Sequence, residues 1–168
     1  ACSSVSGRPR SRATALTVPS GRTASALSVP ASDCQWYWFA VDVEIPDASL
    51  GLDIGEQTCI GNLRRVLEAA RGCGNFVRID MEDFAHCQKT LDIYRGMRAE
   101  YDHVGTVIQA YLYRSLQDID ELAAIRANLR LVKGAYKESP KVAYPDKRDV
   151  DRNFREIIRR QLGHGNYA

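Results

Sequence analysis

Acidic residues are missing from the first 32 positions, where Arg8, Arg10, Arg12 and Arg22 carry the only charges. That stretch is rich in Ser, Ala, Thr and Pro and has no periodic apolar face, so it has little to bury and is expected to stay disordered. Its Arg- and Ser-rich, acid-free character is that of an organelle transit peptide, although no amphipathic helix is visible in it. A leader without a role explains the same composition. Cysteines at two-residue spacing are also lacking: Cys2, Cys34, Cys59, Cys73 and Cys87 are scattered. This excludes a zinc knuckle and a dithiol redox motif. Unpaired thiols of a reducing compartment are the expectation. No apolar run reaches membrane-spanning length. The chain has no initiator methionine, as expected of a partial reading of a longer sequence.

What is present is ordinary in bulk. The chain has 168 residues, 45% of them hydrophobic and 26% charged, with a net charge of +2. One globular domain with a sizeable core fits that length and composition. The charge balance demands neither nucleic acid nor an anionic surface as a partner. Composition divides the chain into a leader over 1–35 and a folded domain over 36–168.

From Thr58 onward two hydrophobic periods alternate. Ile60, Leu63, Leu67 and Ala70 recur at helical spacing, with Gly72 and Gly74 where a helix should stop. Phe76–Met81 reads as a strand, followed by a helix with Leu91, Tyr94 and the stem of Arg98 on one side. Val104–Ala110 is the next strand. Ser115 and Asp118 resemble a capping box opening a helix through Ile119, Leu122 and Arg126. Leu129–Lys133 is a third strand, and Val150, Phe154, Ile157 and Leu162 mark a last helix ending at Gly163 and Gly165. Such alternation means an α/β fold with a parallel sheet covered by helices. Periodicity leaves open whether the sheet is open or closed into a barrel. In both cases ligands sit at the carboxyl ends of the strands.

Three strand ends therefore hold the candidate site. Asp80, Glu82 and Asp83 crowd the first. Carboxylates there suit a cationic substrate or a magnesium ion, and equally suit capping of the next helix. Gln109 closes the second strand, offering a donor and an acceptor to the edge of a flavin or pyrimidine ring, or simply to solvent. Tyr111 and Tyr113 beyond it either wall a planar ligand or pack on a neighbouring loop. In the third strand, Arg130 and Lys133 interrupt Leu129, Leu131 and Val132. Buried cations need partners, so either an anion or an electron-rich ring lies nearby or the two side chains snorkel to the rim. Gly134 lets backbone approach a ligand closely.

Asn75-Phe-Val-Arg-Ile-Asp-Met-Glu-Asp83, Gln109-Ala-Tyr-Leu-Tyr-Arg114 and Asn128-Leu-Arg-Leu-Val-Lys-Gly-Ala-Tyr-Lys137 resemble three successive signatures of the proline dehydrogenase family. Gly165-Asn-Tyr-Ala168 resembles the start of that family's next strand, and the likeness runs from about Leu50 to the end. The resemblance implies a partial (β/α)8 TIM barrel holding FAD at its carboxyl face and oxidising L-proline to 1-pyrroline-5-carboxylate. By position, Asp80 and Arg130 match catalytic residues. Met81, Gln109, Lys133, Gly134 and Ala135 match flavin-contacting positions, and Tyr136 a substrate-pocket position. A quinone as electron acceptor, peripheral association with the inner membrane of a cytoplasmic enzyme, or alternatively a mitochondrial location, belong to the same implication.

Two features depart from the family. Its lysine-bearing strand ahead of Leu50 corresponds here to Val43–Ser49, which has no lysine and carries Pro46, a poor occupant of an interior strand. A complete barrel takes about 250 residues, and the family's later flavin-contacting histidine segment and paired substrate-binding arginines have no counterpart here. The resemblance thus implies an enzyme that this chain alone does not complete, or else a catalytically silent barrel segment that associates with other chains.

Overall fold

A computed structural model describes residues 42–46 and 48–165. The leader, residues 36–41, Asp47 and the short segment after Gly165 lie outside the described residues. Within them the elements run β1 (Asp42–Pro46), a 3-10 turn (Ala48–Leu50), α1 (Glu56–Cys73), β2 (Phe76–Asp80), α2 (Phe84–Glu100), β3 (Val104–Gln109), α3 (Ser115–Ala123), β4 (Asn128–Val132) and α4 (Lys147–Gly163).

Each element follows from local sequence. In α1, Cys59, Leu63, Leu67 and Ala70 are buried along one helical stripe, and the helix ends at Gly74, whose N–H donates to Ala70 and Arg71 carbonyls. Asp83 caps α2 by accepting from the backbone N–H of His86 at 3.1 Å. In α4, Asp146 accepts from the N–H of Arg148 at 2.7 Å.

Several sequence expectations need correction. Residues 42–46 do form a strand despite Pro46. The proline is its last residue, and β1 is an edge of the described sheet, where a missing N–H is tolerated. Ser115 is not a capping residue: Arg114 occupies the cap position, and the Ser115 hydroxyl donates to Leu112 O at 2.9 Å. Asp118 instead takes the Arg114 guanidinium at 2.8 Å. The helix stops at Ala123, short of Arg126. Leu162 is 55% exposed, because α4 buries Asn153, Ile157 and Gln161 on the face one residue round. Cys59 and Cys87 are buried and in no disulfide, but Cys73 is disulfide-bonded, against the expectation of unpaired thiols.

All four strands are parallel and lie in the order β1-β2-β3-β4. This order settles what periodicity left open. Right-handed crossovers that always step in one direction place every helix on the same face of the sheet. A doubly wound sheet would reverse its strand order and offer a switch point. The arrangement is that of a barrel wall. Val77, Ile79, Val104 and Ile108 meet the helices through Leu63, Leu67, Leu91, Tyr94, Ile119, Leu122 and Ile157, all in one buried cluster. The other face carries polar side chains.

Candidate active site

Strand alternation puts Arg78 and Asp80 of β2, Gly105, Val107 and Gln109 of β3, and Asn128, Arg130 and Val132 of β4 on the face away from the helices. They form rows. In the lowest row, Arg78 is buried, and both its terminal nitrogens donate to Asn128 Oδ1 at 3.2 Å. It crosses β3 at Gly105, where a Cβ would lie 2.8 Å from the Asn128 carbonyl and 2.9 Å from Arg78 Nη1. Gly105 is the residue that lets this cation bridge β2 and β4.

One step toward the carboxyl ends, Arg130 reaches back over Val107 to form ion pairs with Asp80 on β2 and Glu44 on β1. Arg130 Nε is buried without a partner. In the top row the Gln109 amide nitrogen donates to the carbonyls of Met81 and Glu82, both at 3.1 Å. Its Oε1, also buried, has no partner and remains an acceptor.

Above these rows opens a cavity of about 400 Å³, within the range of small-molecule sites. Asp80, Met81, Gln109, Arg130, Lys133, Gly134, Ala135 and Tyr136 all line it. The eight residues matched to family positions thus reach one place from three separate strand ends, whereas Glu82, Asp83, Tyr111 and Tyr113 do not line it. The magnesium alternative is not supported: Asp80 is turned to Arg130 and Asp83 to the start of α2. Among the described residues no group of three His, Cys, Asp or Glu side chains could hold a metal ion.

The two tyrosines take the packing role. Tyr113 donates to Pro140 O at 2.8 Å and meets the Tyr144 ring edge-on at 4.6 Å. Tyr111 is buried directly beneath Gly134, and burial holds its phenol above its usual pKa.

Sequence reading missed Glu44 and Asp151. Asp151, on α4, stands 2.6 Å from both the Lys133 and the Lys147 ammonium groups. The Lys133 ammonium and then that of Lys147 hold its carboxyl well below the usual carboxylate range, at about 2. Because the folded value is the depressed one, this contribution to stability is complete above about pH 4 and is lost as pH falls through the folded value. Asp151→Asn is expected to flatten the acid limb of an unfolding curve in that window, read by circular dichroism.

Fold and cavity together define a segment of a singly wound parallel barrel with a polar candidate site at its carboxyl rim. The family model for proline dehydrogenase matches residues 9–168, and the chain belongs to that family. It is 53% identical over 126 residues to proline dehydrogenase 2 of Bacillus subtilis (strain 168), a match covering 75% of this chain and 42% of that one. It is 44% identical over 131 residues to the proline dehydrogenase of Deinococcus radiodurans, covering 76% and 42%. The chain therefore spans about two fifths of the length of these relatives. Among solved structures it superposes on proline utilization A from Bdellovibrio bacteriovorus inactivated by N-propargylglycine with a TM-score of 0.69 at 24% identity, over 82% of this chain and 19% of that one. Proline utilization A of Bradyrhizobium japonicum, in a variant form, gives 0.67 at 18% identity, over 82% and 18%. At those identities the likeness speaks for the fold.

Proposed function

We propose that this chain forms the flavin-side wall of an FAD-dependent proline dehydrogenase, which oxidises L-proline to 1-pyrroline-5-carboxylate. The observation that carries this reading is the convergence of eight residues from three motifs on one cavity at the strand carboxyl ends. The residues fit the ring end of a flavin. Gln109 Oε1, left unpaired in a buried position, suits a ring N–H donor, and Arg130 Nε suits a ring acceptor. Gly134 offers backbone without a side chain at the same wall. FAD bound here supplies the two-electron acceptor for hydride leaving the ring carbon beside the proline amine, while the amine proton goes to solvent and a C=N bond forms.

The protein's part is positional and electrostatic. Asp80 and Glu44 hold the Arg130 guanidinium at the cavity wall, so its positive charge needs no rearrangement when negative charge develops there. Met81 and Ala135 supply apolar wall, and Tyr136, 47% exposed, forms the outer rim on the substrate side. Transfer of electrons onward to a quinone is part of the same reading.

A second reading is favoured by one observation. β1 and β4 each pair on one side only among the described strands, and a cavity of about 720 Å³ runs along β4 past Leu129, Leu131, Ile158 and Leu162. Such edges favour a silent segment that associates with other chains. Flavin titration with light scattering separates the two. Retained, quenched flavin on a monodisperse protein supports the enzyme reading, whereas a colourless, self-associating protein overturns it.

A further inference from the structure

Two cations three residues apart in a strand point to opposite faces. Arg130 lies with Asn128 and Val132 on the polar face, while Leu129 and Leu131 pack into the core beside the helices. Lys133 continues the second set. Its ammonium sits 2.6 Å from Asp151 Oδ1 and 5.7 Å from the centre of the Phe154 ring, both on α4. Asp151 and Phe154 are three residues apart and so share one helical face. The anion and the electron-rich ring that a cation in this strand requires are thus supplied by the chain itself.

The second oxygen of Asp151 takes Lys147 at 2.6 Å. Lys133 opens the β4–α4 loop, residues 133–146, and Lys147 immediately follows it as the first residue of α4. A loop of that length without its own secondary structure needs anchors to hold one shape. Its middle has them, through Tyr113 N to Val142 O at 3.0 Å and Tyr144 N to Tyr111 O at 2.8 Å. Asp151 closes its two ends.

We propose that Asp151 is a positioning residue that clips both ends of this loop, so that Lys133 meets the cavity through its backbone while its charge is held on α4. The inference rests on the flavin reading above, since the loop residues Gly134, Ala135 and Tyr136 line the cavity. Side-chain charge at Lys133 is then not a contact to the ligand.

The test uses the chain extended to full barrel length, comparing Asp151→Asn, Lys133→Met, the double variant and Lys133→Arg. FAD dissociation constants and the rate of limited proteolysis within 134–146 are measured, with the melting temperature of the apoprotein as control. Each single neutral variant should weaken FAD binding about tenfold, the scale for losing a contact that orients a ligand-binding group, and should speed cleavage of the loop. The double variant should be no worse than either single one, and Lys133→Arg, which keeps the pair, should retain affinity. Lys133→Met far exceeding Asp151→Asn, with additive effects in the double variant, overturns the proposal by placing the ammonium on the ligand. Unchanged affinity and cleavage in Asp151→Asn also overturn it. If no form binds FAD, the flavin reading fails, while the cleavage rates still decide whether the clip exists.

Discussion

In the chain extended to full barrel length, Arg130→Met is expected to lower turnover by about 100-fold or more, the scale of losing one preorganised donor from a reaction site. On the flavin reading, a guanidinium already fixed by two carboxylates would stabilise the negative charge of a reduced flavin more than the oxidised ring. The flavin should therefore become harder to reduce, with a potential shifted downward. Some stability is lost too, because removing Arg130 leaves Asp80 and Glu44 facing each other. The three side chains are 34%, 26% and 44% exposed, so water screens much of that repulsion and the loss should be about 1 kcal/mol. Turnover, potential and melting are measured together. Normal turnover and potential with a large drop in melting temperature would falsify the catalytic role and leave Arg130 as an ion-pair partner alone.

Much of this site was legible in sequence because its information is local. Strands β2, β3 and β4 end at Asp80, Gln109 and Val132, each one residue short of the end read from their hydrophobic runs. Parallel strands carry their ligand-facing residues at those ends, so naming the ends nearly names the site. What escaped depends on register and on distant partners. Glu44 and Arg130 are 86 residues apart, and only the pairing of four strands brings them together. Lys133 could have been assigned to the helix side by counting, since three steps from Arg130 reverse the face. The identity of its partner on α4 could not. Pro46 misled for a different reason: proline disfavours an interior strand, and whether β1 has a neighbour on its outer side is not written in residues 42–46. Asn153 shows the same limit inside the core. Its amide ties α4 to the Ala110 carbonyl at 2.7 Å and to the Ser115 hydroxyl at 2.9 Å. An apolar-period search passes over such a residue.

Gly134→Ala should be the most damaging glycine-to-alanine change among the described residues. Two independent costs coincide there. The backbone sits at φ +100°, a region that L side chains avoid, costing about 1–3 kcal/mol. A Cβ on that backbone would also run into the Tyr111 ring. The ring cannot swing away freely. It is 7% exposed, and its own backbone is held by Tyr111 N to Lys133 O at 2.9 Å and by Tyr144 N to Tyr111 O at 2.8 Å. Relieving the contact thus moves either a packed ring or the loop itself, at about 1–3 kcal/mol for overpacking. A total loss of roughly 3 kcal/mol is expected, together with weakened FAD binding, since Gly134, Ala135 and Tyr136 shift as one segment. The two costs can be separated by making the same change in a Tyr111→Leu background, where the ring is gone but an apolar side chain remains. Chemical denaturation should then show Gly134→Ala costing less than in the parent, with the backbone cost remaining. An equal cost in both backgrounds would show that Tyr111 is not the obstacle. A cost below about 1 kcal/mol in the parent would mean that the loop relaxes without strain, and the close backbone approach assigned to Gly134 would be wrong.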